Sequence, residues 1–196
     1  MDASMWNDRY DGTELLWSAG PNQFLPPLVA DLEPGSVLDV ACGEGRNSIW
    51  LAERGWNVTA VDFSDVAIER GRTLAGDTDI NWVVGDVTTL DTADHVFDLV
   101  IVFYLHLGPQ SFQDALTGAL RAVAPGGSIF AVGHAVRNVA DGYGGPPYPE
   151  ILWDAERFEN LLDGFEILEL GERLRPVADA DATAIDFALH AERTAI

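Results

Sequence analysis

A parallel α/β sheet covered by helices on both faces is the fold class predicted by three features of the 196-residue sequence. Short apolar, β-branched runs recur along the chain, stretches of helical pattern separate them, and a glycine-bearing turn follows the first run directly. The runs are Ser36 to Val40, Asn57 to Val61, Asn81 to Val84, Phe97 to Val102 and Ser128 to Val132. Near-continuous apolar segments of this kind suit strands buried on both faces.

The intervening segments read as crossover helices. Glu44 to Arg54 presents Ile49, Leu51 and Ala52 to a sheet and stops at Gly55. Ser64 is placed to cap the next helix, with Asp65 at its positive end, and that helix runs through Val66, Ile68 and Leu74 to Gly76. A third crossover spans Ser111 to Val123, and Pro125-Gly126-Gly127 turns into the fifth strand. Beyond residue 134, the breakers between Asp141 and Pro149 predict a long loop. Asp154 to Leu162 is then expected to be helical, and Phe165 to Leu170 and Thr183 to Glu192 to pair as an antiparallel hairpin connected by Glu172 to Asp181.

The length suits one domain, 1–196, with residues 1–34 as an N-terminal helical cover and 135–153 as an acceptor-side loop. A formal charge of -21 with no lysine disfavours nucleic acid, whose phosphates require a basic surface. The single Cys42 excludes an intrachain disulfide and a Cys-rich zinc site. No apolar run approaches the roughly 20 residues of a membrane span, and the N-terminus lacks a secretory pattern, so a cytoplasmic location without membrane partners is expected. Oligomeric state is not legible.

The chemistry is carried by the turn Asp39-x-Ala41-x-Gly43-x-Gly45 between the first strand and helix, and by Asp62 at the end of the second strand. Glycines let a backbone approach a ligand, and a carboxylate at that strand end can accept both hydroxyls of a ribose. A dinucleotide site would carry a third glycine where Ser48 stands, and Asp39 and Glu44 would repel a pyrophosphate. S-adenosylmethionine (SAM) has no phosphate. Its sulfonium and ammonium groups suit an acidic loop, and Arg46 or a helix N-terminal amide can take its carboxylate.

With Leu38 to Ser48, Ala60 to Ser64, Gly85-Asp86-Val87 and Leu120 to Gly127 in this order, the sequence resembles the class I SAM-dependent methyltransferases, and within them the small tellurite-resistance-type and thiopurine-type branch. The resemblance implies a Rossmann-like seven-stranded, mostly parallel sheet whose last strand is antiparallel. It implies that Asp39, Ala41, Gly43 and Gly45 line the methionine portion and that Asp62 holds the ribose. It further implies that Phe63 lies against adenine, that Asp86 accepts its exocyclic amine and that the Val87 backbone addresses its ring. Trp6 and Tyr10 are expected to close over the cofactor, and Phe103 is expected to border it from the fourth strand. Ala41 departs from the family pattern, which has glycine there.

Methyl transfer from a sulfonium is an in-line displacement in which positioning supplies most of the acceleration. Acceptor-side candidates follow the fourth and fifth strands: Tyr104, His106 and His134, the histidines as bases for a hydroxyl acceptor. Aromatic residues flank this region, Trp6, Tyr10 and Trp17 on one side and Tyr143, Tyr148 and Trp153 on the other, and are expected to form a water-excluding cover. No Asn-Pro-Pro-Tyr or Asp-Pro-Pro-Tyr element and no aspartate ends the fourth strand, which argues against amino-directed and magnesium-dependent chemistry. The expected function is transfer of a methyl group to an O or S atom of a small, apolar or aromatic molecule. The alternative is a non-catalytic SAM-binding regulatory protein.

Overall fold

Strands β1 (Ser36–Val40), β2 (Asn57–Asp62), β3 (Asn81–Val84), β4 (Phe97–Phe103), β5 (Val123–His134), β6 (Phe165–Val177) and β7 (Ala182–Arg193) form a seven-stranded sheet in the order β3-β2-β1-β4-β5-β7-β6. The computed structural model describes residues 6–7, 10, 20–90, 96–177 and 180–195. Pairing is parallel from β3 through β5, and β7 runs antiparallel to both β5 and β6. The expected Rossmann-like architecture is the observed one.

Helices α1 (Leu25–Leu28), α2 (Arg46–Ala52), α3 (Asp65–Ala75), α4 (Pro109–Ala122) and α5 (Asn138–Asp141) occupy the connections. Alternation along β4 shows why both faces must be covered. Leu99, Ile101 and Phe103 pack with Leu25, Leu51 and Ala75 on one side, whereas Val100 and Val102 pack with Phe112, Leu116 and Ala119 of α4 on the other. Ser64 caps α3 as expected, accepting from the Ala67 N–H at 3.0 Å.

Three expectations need correction. Asp154 to Leu162 is not an α-helix but a single 3-10 turn, Ala155–Phe158. Asp154 starts it by accepting from Arg157 N, and Phe158 ends it by entering the core between Phe112 and Phe187. The hairpin connection expected over Glu172 to Asp181 is mostly strand, because β6 continues to Val177 and β7 begins at Ala182. Its charged residues look loop-like but lie on an edge strand, where alternate positions face solvent while Arg173 pairs with Glu169 and Arg175 with Asp186. Trp153, assigned to the aromatic cover, is fully buried: its ring lies against Gly133, and its indole N–H donates to the Leu105 carbonyl at 3.1 Å.

The strand order reverses between β1 and β4. Segments leaving their carboxyl ends diverge, opening the crevice where ligands of open α/β sheets bind. Both strands are followed by a residue with positive φ that is not glycine, Ala41 at 59° and Tyr104 at 55°. Left-handed backbone costs an L-residue about 1–2 kcal/mol, and such strain gathers where a chain must turn sharply at a site.

Candidate cofactor and acceptor site

The site begins with the turn after β1. Gly43 has φ 57° and Gly45 has φ 75°, so both need glycine for conformation alone. Their missing side chains also make room, but for protein. A Cβ on Gly43 would lie 2.8 Å from the Tyr10 hydroxyl oxygen, and one on Gly45 would run into the ring edge of Trp82, 2.7 Å from Cζ3. Ala41 adopts the backbone form that glycine takes without strain, so the departure from the family motif preserves the turn.

Asp62 ties the turn to β2. Its Oδ2 accepts from Gly43 N and its Oδ1 from Ser64 N, each at 2.9 Å. A carboxylate has about four acceptor sites, so acceptor capacity remains beyond these two bonds for a ribose hydroxyl. Asp39 is buried and receives the Ser48 hydroxyl at 2.6 Å. Burial, reinforced by the charge of Asp62, pushes its pKa up to about 7 against the opposing effects of Ser48 and Arg46. A buried acid held in this way gains from a cationic neighbour. The pair therefore fits a ligand that carries both a ribose and a positive charge.

That shift gives a pH prediction. The folded chain holds the Asp39 proton more tightly than an unfolded one, so this residue's contribution to stability falls as pH rises from about 4 to about 7. Asp39→Asn stays neutral and still accepts from Ser48. Its gain in melting temperature over wild type should grow between pH 4.5 and 7.5, as followed by circular dichroism; a gain independent of pH contradicts the burial assignment.

The described N-terminal residues lie against this turn. The Trp6 and Tyr10 rings are 5.8 Å apart, and Asn7 donates to Asp65 and accepts from Ser64 at the start of α3. Arg70 of α3 pairs with Glu44 at 2.8 Å and donates to the Tyr10 carbonyl, joining helix, turn and N-terminal segment. Trp17 lies outside the described residues.

Other expected cofactor contacts have visible structural work. Asp86 is exposed and caps the 3-10 turn Val87–Thr89, its Oδ1 accepting from the Thr88 amide and hydroxyl at 2.9 and 2.8 Å. Val87 is buried beneath, and Phe63 is half-buried next to Asp62. Phe103 packs its ring on Phe130, 5.8 Å away, within the core. Arg46 opens α2 in the field of Tyr104, Asp39 and Tyr10, and burial lowers its pKa.

The acceptor-side candidates do converge. His106 and His134 stack at 5.4 Å, and Tyr104 lies 5.0 Å from His134. His106 Nε2 accepts the His134 backbone N–H at 3.1 Å, and burial drives its pKa down to about 3, so that ring is neutral with its proton on Nδ1. The Tyr104 hydroxyl donates to Asp186 at 2.9 Å. Burial and the Asp186 charge raise its pKa, so it keeps its proton.

Asp186 and Arg175 are the residues sequence reasoning missed. Asp186 is fully buried on β7 opposite His134, and Arg175 Nε donates to it from β6 at 2.6 Å. A signal existed: one carboxylate in the otherwise apolar run Ala184-Ile185-Asp186-Phe187-Ala188 must have partners. Among the described residues, no group of three His, Cys, Asp or Glu could hold a metal ion, and no helix is long and apolar enough to cross a membrane. Burial and nearby carboxylates push the half-buried Cys42 thiol far up, which leaves it a poor nucleophile.

Residues 37–127 match the protein family described as a methyltransferase domain. The demethylmenaquinone methyltransferase of Clavibacter sepedonicus is 36% identical over 125 residues, 61% of this chain and 51% of that protein. The chain thus spans about half the length of the curated relatives it matches. Among solved structures, the N-methyltransferase NodS from Bradyrhizobium japonicum WM9 in complex with S-adenosylhomocysteine (SAH) aligns with a TM-score of 0.77 at 16% identity, covering 98% of this chain and 99% of that one. A structure described under the conversion of a disulfide bond into a thioacetal group during echinomycin biosynthesis also gives a TM-score of 0.77, at 22% identity over 98% of this chain and 90% of that one.

Proposed function

We propose that this chain is a SAM-dependent methyltransferase that transfers the methyl group of SAM to an O or S atom of a small, apolar or aromatic molecule bound over the carboxyl ends of β4 and β5. One observation carries the reading. The Asp39, Gly43 and Asp62 turn and the Tyr104, His106 and His134 cluster stand at the ends of β1, β2, β4 and β5, on the same edge of the sheet at its topological switch point. SAM supplies an electrophilic methyl on a sulfonium with a neutral leaving group.

The protein's part is to bind and orient. Asp62 takes the ribose hydroxyls, Asp39 faces the cationic methionine end, and Arg46 takes its carboxylate. Gly43, Gly45 and Ala41 shape the turn, Phe63, Asp86 and Val87 border the adenine, and Phe103 supports this wall from the core. Residues 1–34, through Trp6 and Tyr10, serve as the cover, and 135–153 as the acceptor-side loop, where Tyr143 and Tyr148 are exposed. One domain comprises residues 1–196, and it works in the cytoplasm without nucleic acid.

Relatives named for demethylmenaquinone support a small-molecule acceptor. The four motifs favour the tellurite-resistance-type and thiopurine-type branch. The test is transfer of radiolabelled methyl from SAM to a panel of phenols, thiols and carboxylates. Label on a phenol or thiol is the expected result, and label on none of the panel, with SAH still bound, would favour the non-catalytic alternative.

A further inference from the structure

Two donors from different elements reach one buried carboxylate, and the buried Nδ1 of His134 lies beside it with no other partner among the described residues. The Tyr104 hydroxyl after β4 reaches Asp186 at 2.9 Å, Arg175 Nε on β6 at 2.6 Å, and His134 Nδ1 on β5 lies 3.1 Å from Oδ1. Burial alone would raise the pKa of Asp186, but hydrogen bonds from His134 and Arg175 and the Arg175 charge outweigh it, so the carboxylate stays ionised. An ionised carboxylate accepts and cannot donate. His134 must then present a proton on Nδ1, which in the neutral ring leaves Nε2 as an acceptor.

The Cδ2 side of the His134 ring, between Cγ and Nε2, lies against the 135–153 loop at a residue with no side chain. A Cβ on Gly145, which has φ 78°, would lie 2.9 Å from His134 Nε2 and 2.6 Å from its Cδ2. The loop is fixed there by buried Asn138, whose Nδ2 donates to the Gly144 carbonyl at 2.8 Å while its Oδ1 accepts from Ile185 N at 2.7 Å. His106 stacks on the other ring and has its own Nε2 engaged by the backbone. The charged and titratable groups around His134 are therefore Asp186, Arg175, Tyr104 and His106, with Arg46 beyond Tyr104 and Arg157 beyond His106.

We infer that Asp186, braced by Arg175 and Tyr104, is a positioning residue that holds the His134 proton on Nδ1 and leaves Nε2 unprotonated, making His134 the base for hydroxyl acceptors. This rests on the acceptor reading above. In the step, a lone pair on the acceptor oxygen forms the O–CH3 bond as the S–CH3 bond breaks with its electrons moving to sulfur. The hydroxyl proton passes to Nε2, and SAH and the methyl ether leave. A thiolate is already ionised and does not call on the base.

Two measurements on the full chain test this. Long-range proton–nitrogen correlation spectra of the SAH-bound protein report the tautomer of His134, assigned with His134→Gln. Wild type should show Nδ1–H with bare Nε2, and Asp186→Asn, whose amide can donate to Nδ1, should show the opposite tautomer. Radiolabelled transfer should then fall about 10²–10⁴-fold in kcat for phenol in Asp186→Asn. Transfer to thiophenol, ionised at the assay pH, should change less than about threefold, well under the general-base contribution. Arg175→Lys, which keeps a cation beside Asp186, serves as a milder variant if Asp186→Asn does not fold, and should lower phenol transfer selectively. Wild-type His134 protonated on Nε2, or equal losses on phenol and thiophenol, overturns the inference. Absence of transfer by wild type to either probe would instead count against the proposed activity, while the tautomer still decides the positioning role.

Discussion

Gly45→Ala should lower the melting temperature by about 10 °C. The methyl group meets two obstacles. Left-handed backbone at φ 75° costs an L-residue about 1–2 kcal/mol. The Cβ also overlaps the Trp82 ring, and that ring cannot simply shift, because Gly71 holds the same edge from α3, where a Cβ would lie 2.7 Å from Cη2 and Cζ3. Overpacking of this kind adds about 1–3 kcal/mol, and each kcal/mol moves the midpoint of a chain this size by about 2–4 °C. Gly126→Ala is the control, since its φ is 77° and nothing lies within 4 Å of its Cβ position. It should cost only the backbone part, so differential scanning calorimetry of the two variants separates strain from the clash. Equal losses would mean that Trp82 does not depend on the glycine.

Trp153→Ala should be as damaging, at about 3–5 kcal/mol for a fully buried aromatic. The indole fills the space over Gly133, packs against Phe112 and Phe158, and satisfies the Leu105 carbonyl. His106 lies 6.5 Å from its ring, so the loss falls beneath the acceptor cluster rather than at the Asp62 turn. Calorimetry at a temperature where the variant remains folded should therefore find SAH affinity within a few-fold of wild type. A surface cover residue, by contrast, would shift the midpoint by little.

These two residues also mark where reading the sequence succeeds and where it stops. The strands, the Ser64 cap, the glycine turn and Asp62 are legible because each depends on neighbours a few positions away. Gly45 is legible as a glycine that must be a glycine, yet its steric partner, Trp82, comes from β3 and was not. Trp153 carries the same lesson in reverse. Among breakers and tyrosines it looks like part of a cover, but pairing of the 153 segment with Ala135 and His134 draws it into the core.

Asp186 is the clearest omission. Its contact with Tyr104 spans 82 positions, and the pairing that sets it opposite His134 follows from the antiparallel register of β5 with β7. Local periodicity contains no information about that register. The length of β6 was missed for a related reason: the polar residues after Leu170 pair across an edge strand, and from sequence alone an edge strand and a loop look alike.

The turn between β1 and α2, with Asp62, is proposed to hold the adenosyl part of the ligand. Titration calorimetry with SAH on wild type and Asp62→Ala tests this most directly, with circular dichroism to verify that the variant is folded. Wild type should bind with a dissociation constant on the order of micromolar. Loss of two hydrogen bonds to a charged group, each worth about 1.5–3 kcal/mol, should weaken the variant at least about 100-fold. Failure of the wild-type protein to bind SAH, or equal affinity in a folded Asp62→Ala, would rule out an adenosyl site at this turn.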